Sequence, residues 1–378
     1  MFSLIDHQLF RLIALCAGLF LALPWELQGL MMHGITLMLA ALLIALGLMP
    51  RVISLAHKLG ALDIPDGGRR LHRQITPRIG GVAVILAANI TLFLNFNFSL
   101  AFKGVVISGL MVASVSFWDD VKEISASMKL MAQCLAVSVL IACGVHVDVA
   151  PDVWWGEGLE YIITALWVIG ITNAFNFLDG INGLAAALAT VTCFLMGLLA
   201  WHTDQVLMFF LCFAIAGSAA GFLPDNARYE TPARTFLGDV GSTYLGWVMA
   251  AIAVMGDWSS EGAIKAYAAP LLIFSVMIFD IIHTTVARIA RGDVHNFHEW
   301  IAYVGRDHLH HRLMGLGCSQ KQAVLLIVAL SCLMGLTALA LINAPLISVV
   351  LLLSQACLFY GILTFLMGRA KAHDEEHS

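Results

Sequence analysis

Apolar stretches follow one another along this chain with short polar interruptions, and many run for about 20 residues, the length a helix needs to cross a bilayer's hydrocarbon core. The pattern predicts twelve spanning helices, near 9–28, 31–50, 79–98, 101–118, 126–146, 160–177, 183–200, 205–223, 236–256, 265–287, 321–342 and 345–367. Pro24, Glu26 and Gln28 weaken the end of the first, and Asn89 and Asn95 weaken the third. The first stretch lacks a small-residue cleavage site and is soon followed by another, so it reads as an anchor rather than a removed signal.

Composition agrees with the pattern. Hydrophobic residues make up 60% of the 378 and charged ones 12%, against about 25% charged in a soluble domain. The fold class is therefore all-α, a polytopic helical membrane protein. The net charge of -5 matters less than where the charges fall. On this span map eighteen of the 20 lysines and arginines lie on one side, and only Lys103 and Lys265 on the other. That bias assigns the first side to the cytoplasm. Trp154 and Trp155 on the opposite side read as interfacial anchors. The eight cysteines are scattered without a C-x-x-C pair and read as small buried hydrophobes.

Five polar islands break the oily pattern, all on the cytoplasmic side of the map. The first, Asp63-Ile-Pro-Asp-Gly-Gly-Arg-Arg-Leu-His-Arg running on to Thr76-Pro-Arg-Ile-Gly-Gly, joins turn residues to arginine forks that suit phosphate oxygens. A plain positive-inside loop has the same composition. The second, Phe117-Trp-Asp-Asp-Val-Lys-Glu, places Asp119 and Glu123 four apart, on one face of a continuing helix, with Asp120 turned about 100° away. Such acids bind Mg²⁺, or raise one another's pKa so that one becomes a base; a surface helix cap is the bland alternative. Carboxylates cost about 3 kcal/mol each at a bilayer centre, so their retention at span ends points to use.

The third island, Asn173-Ala-Phe-Asn-Phe-Leu-Asp-Gly-Ile-Asn-Gly, sets Asn173, Asn176, Gly180 and Gly183 at helical spacing. This stripe suits a metal or a nucleobase, or close helix packing through small residues. In the fourth, Phe236-Leu-Gly-Asp-Val-Gly-Ser, Asp239 between glycines reads as a Mg²⁺ ligand and Ser242 as a phosphate donor, with a helix cap as the alternative. The fifth, Gly305-Arg-Asp-His-Leu-His-His-Arg-Leu, reads as an anion patch. Zinc, with His295 and His298, is the sharper rival, but no cysteine or clear acid completes a tetrahedral set. Together the islands describe a nucleotide-diphosphate site at a membrane surface. An ion-coupled transporter would instead carry charges at mid-span in broken helices.

These motifs resemble those of the polyprenyl-phosphate N-acetylhexosamine-1-phosphate transferases, over roughly residues 31–367 and with every island in order. The resemblance implies about eleven family-type transmembrane helices in a 31–367 catalytic domain, an extra N-terminal helix within 1–30 and a cytoplasmic tail at 368–378. It implies transfer of a sugar 1-phosphate, foremost GlcNAc-1-phosphate, from a UDP-N-acetylhexosamine to polyprenyl phosphate, releasing UMP as the first step of envelope polysaccharide synthesis. UDP-MurNAc-pentapeptide or another UDP-hexosamine is the alternative donor; the His308-Leu-His-His-Arg form is similar to the N-acetylglucosamine branch, whereas the muramoyl branch has three consecutive histidines.

The roles implied are these. Asp119 and Asp120 form the catalytic acid pair, and Asn176 and Asp239 hold Mg²⁺, with Mn²⁺ as a substitute. Asp179 and Asn182 lie in the nucleoside region, and His308, His310, His311 and Arg312 contact the sugar and its phosphates. Arg69, Arg70, His72 and Lys129 are weaker candidates for phosphate contact. Partners are the lipid phosphate, the nucleotide sugar and the membrane, with no nucleic acid and room for a homodimer; the location is the bacterial inner membrane with a cytoplasmic site. Two departures stand out: the added first helix, and Leu223-Pro-Asp-Asn, where the family more often has an apolar residue before the asparagine.

Overall fold

The computed structural model describes residues 2–23, 29–64, 74–95, 99–151, 153–259, 263–303, 305–342 and 344–376. Among them the chain is almost wholly helical. Eight helices are long and apolar enough to cross a membrane, or nine if one bent pair counts as a single span. Three of the twelve expected spans form shorter apolar helices: Gln8–Leu21, Gly81–Phe93 and Ala126–Ala142. The 13 residues of the second of these reach only about 20 Å at 1.5 Å per residue, less than the hydrocarbon thickness. The chain separates into two compact units, Met1–Gly256 and Asp257–Ser378.

The first unit contains α1 (Phe2–Leu21), α2 (Leu30–Leu59), β1 (Leu62–Asp63), β2 (Thr76–Pro77), α3 (Gly81–Phe93), α4 (Leu100–Val121), α5 (Ala126–Ala142), α6 (Trp154–Leu178), α7 (Leu184–His202), α8 (Val206–Asn226) and α9 (Gly238–Met255). α2 packs on α1 and α8, α7 lies on α8, and α4 and α6 flank α9. Lipid gives helices no hydrophobic reason to associate, so close approach through small residues carries the packing. A Cβ on Gly217 of α8 would lie 2.0 Å from the Met38 carbonyl of α2, and one on Gly81 of α3 only 2.2 Å from the Gly241 Cα of α9.

α9 is buried along nearly its whole length. Polar side chains pin it: Asn89 donates to the Tyr244 hydroxyl at 2.8 Å, Trp247 Nε1 donates to Ser108 Oγ at 2.8 Å, and Thr243 donates to Ser116 at 2.7 Å. Asn89, which weakens α3 as an apolar stretch, thus serves as an interhelical bond. The antiparallel pair β1–β2, Leu62 opposite Pro77 and Asp63 opposite Thr76, brings the two ends of the first island together.

The second unit contains α10 (Ala263–Ile273), α11 (Ser275–Arg291), α12 (Phe297–Ala302), α13 (Leu309–Gly315), α14 (Gln320–Ala340) and α15 (Leu346–Glu376). The expected span at 265–287 is bent by 69° between α10 and α11. Pro270, which lacks an N–H, lies one turn before the break at Phe274. α14 starts with a capping box of Ser319 and Gln322, and α15 runs on into the tail segment. Cys193 and Cys212 are buried as expected of small hydrophobes, whereas Cys16, Cys134 and Cys357 sit on exposed faces.

Candidate active site

Four of the five islands meet in the first unit. Asp119 and Asp120 close α4, and both are buried. The helix stops at Val121, so Glu123 lies beyond it and is exposed; the expected shared face of Asp119 and Glu123 does not form. The two aspartates have different partners. Asp120 turns toward α9 and accepts from the Asp239 amide at 3.1 Å and the Val240 amide at 2.9 Å. Those are orphan donors of the helix's first turn, where a carboxylate is favoured. Arg78, from the first island, stands 3.6 Å from the same carboxylate. Asp119 accepts from the Ile124 amide at 2.8 Å through one oxygen and pairs with Lys129 through the other.

Lys129, on α5, is the centre of the cluster. Its ammonium lies between Asp119 and Asp239, 2.5 Å from the Asp239 oxygen. Asn176 on α6 donates to Asp239 at 3.3 Å and to Ser242 at 2.7 Å. Ser242 is fully buried and donates to the Gly238 carbonyl at 3.0 Å, so it is not placed as a phosphate donor. Gly238 adopts φ +74°, and a Cβ there would sit 1.8 Å from the Arg78 carbonyl and 2.6 Å from Asp120; only glycine fits this entry into α9. The strand–loop contacts are regular: Phe236 N donates to Pro77 O at 2.8 Å, and Gly80 N to Phe236 O at 2.9 Å.

The donor chemistry fits a hard divalent cation. Two carboxylates converge on one positive charge, now supplied by Lys129, and a turned Asn176 amide would add an oxygen. No group of three or more histidine, cysteine or acidic side chains placed to hold a metal occurs among the described residues.

α6 ends at Leu178, so the expected stripe of four positions is cut short; Gly180 and Gly183 lie outside the helix, and Gly183 takes φ +83°. Asn173 pairs with Gln133 of α5 at 2.8 Å. Asp179 caps α6; burial raises its pKa well above the carboxylate range, and the charges of Asp239 and Asp120 raise it further. Asn182 donates to the Arg228 carbonyl at 3.4 Å, and Asn226 holds the Gly183 amide at 2.6 Å. Arg69, Arg70 and His72 lie outside the described residues.

The fifth island builds its own network in the second unit. His308 Nδ1 is 2.7 Å from Asp280 Oδ2, and the Leu309 amide donates to the other Asp280 oxygen at 2.6 Å. Arg288 and Arg291 clasp Asp307 at 2.6 and 3.0 Å. Burial pushes Asp307 up, but these arginines outweigh it and hold the carboxyl at about 2. His310 is fully buried, and among the described residues neither ring nitrogen has a hydrogen-bond partner. Burial, then the neighbouring His311 and His308, push it down to about 2, so it is neutral. His311 and Arg312 are half-buried; Arg312 donates through Nε to the Asp307 carbonyl, and among the described residues one of its terminal nitrogens has no partner.

Asp280 is the residue that motif reading missed. Its signal is present nonetheless, as a carboxylate within an apolar span, where an acid is costly without a partner.

The glycosyl transferase family 4 model matches residues 102–257. The chain is 32% identical over 311 residues to the decaprenyl-phosphate N-acetylglucosaminephosphotransferase of Mycolicibacterium smegmatis, covering 72% of this chain and 73% of that one. It is 28% identical over 312 residues to a probable undecaprenyl-phosphate N-acetylglucosaminyl 1-phosphate transferase of Bacillus subtilis, covering 81% and 84%. A phospho-N-acetylmuramoyl-pentapeptide-transferase of Levilactobacillus brevis matches at 29% over 201 residues, covering 48% and 61%.

Proposed function

The chain belongs to glycosyl transferase family 4, and from that membership we propose that it moves N-acetylglucosamine 1-phosphate from UDP-N-acetylglucosamine to a polyprenyl phosphate and releases UMP. The carrying observation is the Asp119–Lys129–Asp239 cluster at the ends of three apolar helices, with Asn176 beside it. Asp119 has one oxygen turned to the lysine rather than to backbone, which suits it to accept the proton of the lipid phosphate. That phosphate's oxygen then attacks the β-phosphorus of the donor, the bond from the bridging oxygen to that phosphorus breaks, and UMP leaves. Lys129 supplies a positive charge to the incoming phosphates. Asp120 positions Asp239 by holding the first turn of α9. Asp239 and Asn176 would hold Mg²⁺, which when bound would supply charge neutralisation for the diphosphate. Within its own unit the fifth island offers the half-buried His311 and Arg312 to a phosphate anion.

Orientation with the site toward the cytoplasm of a bacterial inner membrane rests on the basic-residue bias. The test is transfer of radiolabel to polyprenyl phosphate by the purified protein, across a panel of UDP-sugars. UDP-N-acetylglucosamine is expected to be the preferred donor, with activity lost on chelation and in Asp239→Ala. A preference for UDP-MurNAc-pentapeptide would move the chain to the alternative donor; no transfer from any donor would remove the reading.

A further inference from the structure

The geometry points to a second anion site in the first unit, built for a phosphate oxyanion and separate from the carboxylate cluster. A cavity of about 480 Å³ is lined by Arg11, Pro224, Arg228 and Arg234. Among the described residues its lining holds three guanidiniums and no carboxylate. None of these residues belongs to the Asp119–Lys129–Asp239 cluster or to the histidine loop.

The two departures from the family's pattern meet here. Arg11 comes from the added helix α1, and it grips Asp225, the acid that stands before Asn226. The pair is bidentate, at 2.7 and 3.0 Å, and Arg11 also donates to the Leu46 carbonyl at 2.8 Å. Arg11 is 5% exposed and Asp225 0%. Arg234 donates to the same Asp225 carboxylate at 3.0 Å. One carboxylate thus faces two guanidiniums. Arg228 adds a third, and among the described residues no side-chain bond or ion pair engages it.

Asp225 offsets only one of the three positive charges, so the cavity keeps a net positive charge, and the planar guanidinium fork of Arg228 matches phosphate oxygens. The volume falls in the range of small-molecule sites, so it accommodates a phosphate with a group attached. Two sources share this chemistry: the headgroup of a phospholipid, and a soluble phosphate compound. The loop that carries Arg228 also receives Asn182 at the Arg228 carbonyl. An occupant would therefore rest on the segment that borders the proposed nucleotide region.

The experiment uses the purified full chain in vesicles and compares it with Arg228→Gln, Arg228→Glu and Arg228→Lys. Arg228 is partly exposed and, among the described residues, holds no other side chain, so thermal midpoints without added phosphate are expected to match. One arm titrates inorganic phosphate at fixed ionic strength in phosphatidylcholine vesicles. The other measures phosphatidic acid retained through purification from phosphatidylcholine vesicles that contain it. The site predicts that at least one probe binds the parent about tenfold more tightly than Arg228→Gln, the loss expected for one charge-assisted hydrogen bond. Arg228→Glu binds more weakly still, and Arg228→Lys recovers part of the loss. The KM for UDP-N-acetylglucosamine in Arg228→Gln stays unchanged. Equal binding of both probes by parent and Arg228→Gln would overturn the site. So would a rise in that KM parallel to the loss of probe binding, which would assign the cavity to the donor.

Discussion

Asp119 and Asp120 are neighbours in sequence with opposite duties. Asp120 spends both oxygens on the amides that open α9, so its removal strands two backbone donors, one buried and one partly buried. Asp120→Ala is expected to cost about 1–3 kcal/mol for each donor left unpaired, read as a lower thermal midpoint together with lost turnover. Asp119→Asn keeps the shape and one acceptor, so it should lose turnover with little change in midpoint. Lys129→Met leaves Asp119 and Asp239 facing each other without a cation. That variant should unfold at lower temperature in chelator and regain stability on adding Mg²⁺, by a larger margin than the parent; an equal Mg²⁺ response in the two would argue against cation binding at these carboxylates.

His310 gives a pH signature. Its folded pKa lies near 2 against an ordinary 6.5, because burial, His311 and His308 disfavour the charged ring. Between those values the unfolded chain binds a proton that the folded chain refuses. Stability is therefore unaffected above pH 6.5 and falls below it, by about 1.4 kcal/mol for each pH unit from this residue. Comparing His310→Gln with the parent from pH 7.5 to 5.5 checks the sign: the variant should show the shallower decline. Asp307, held near 2, has the opposite bookkeeping window, since its stabilisation is present above the ordinary 3.8 and is lost only toward pH 2.

At the scale of elements, the site depends on how closely helices approach. Gly81 and Gly241 bring α3 against the turn of α9 that follows Asp239, with no space for a methyl group between the backbones. Gly81→Ala should therefore destabilise the protein by roughly 1–3 kcal/mol through overpacking. It should also reduce kcat, because the start of α9 would shift relative to α4 and α5. A thermal melt alongside single-turnover transfer separates the two effects. The break at Phe274 works differently: it sets α11 apart from α10, and Asp280 on α11 then fixes His308 and the start of α13.

For the whole molecule, the basic residues of the predicted loops make a statement about sidedness. Cysteines placed singly at the exposed positions Glu123, Tyr229 and Arg306, in a background without other cysteines, should all react with an impermeant reagent from the same face of the membrane. Reaction of any one of them from the opposite face would contradict the common sidedness of the polar islands.

The amino-acid sequence by itself determined the helical membrane class, the approximate helix positions and the motif set, because apolar length and residue type are local properties written along the chain. It also marked Asp119, Asp239 and Asn176 as chemistry-bearing. It did not determine which groups face one another. The end of α4 at Val121 put Glu123 aside, the burial of Ser242 took it away from phosphate, and the break at Phe274 bent an apolar run that looks continuous. The central place of Lys129, the hold of Asp280 on His308 and the meeting of Arg11 with Asp225 join residues from separate helices. Those pairings follow from where small residues let backbones come together, and that is a property of the packed structure rather than of any one segment.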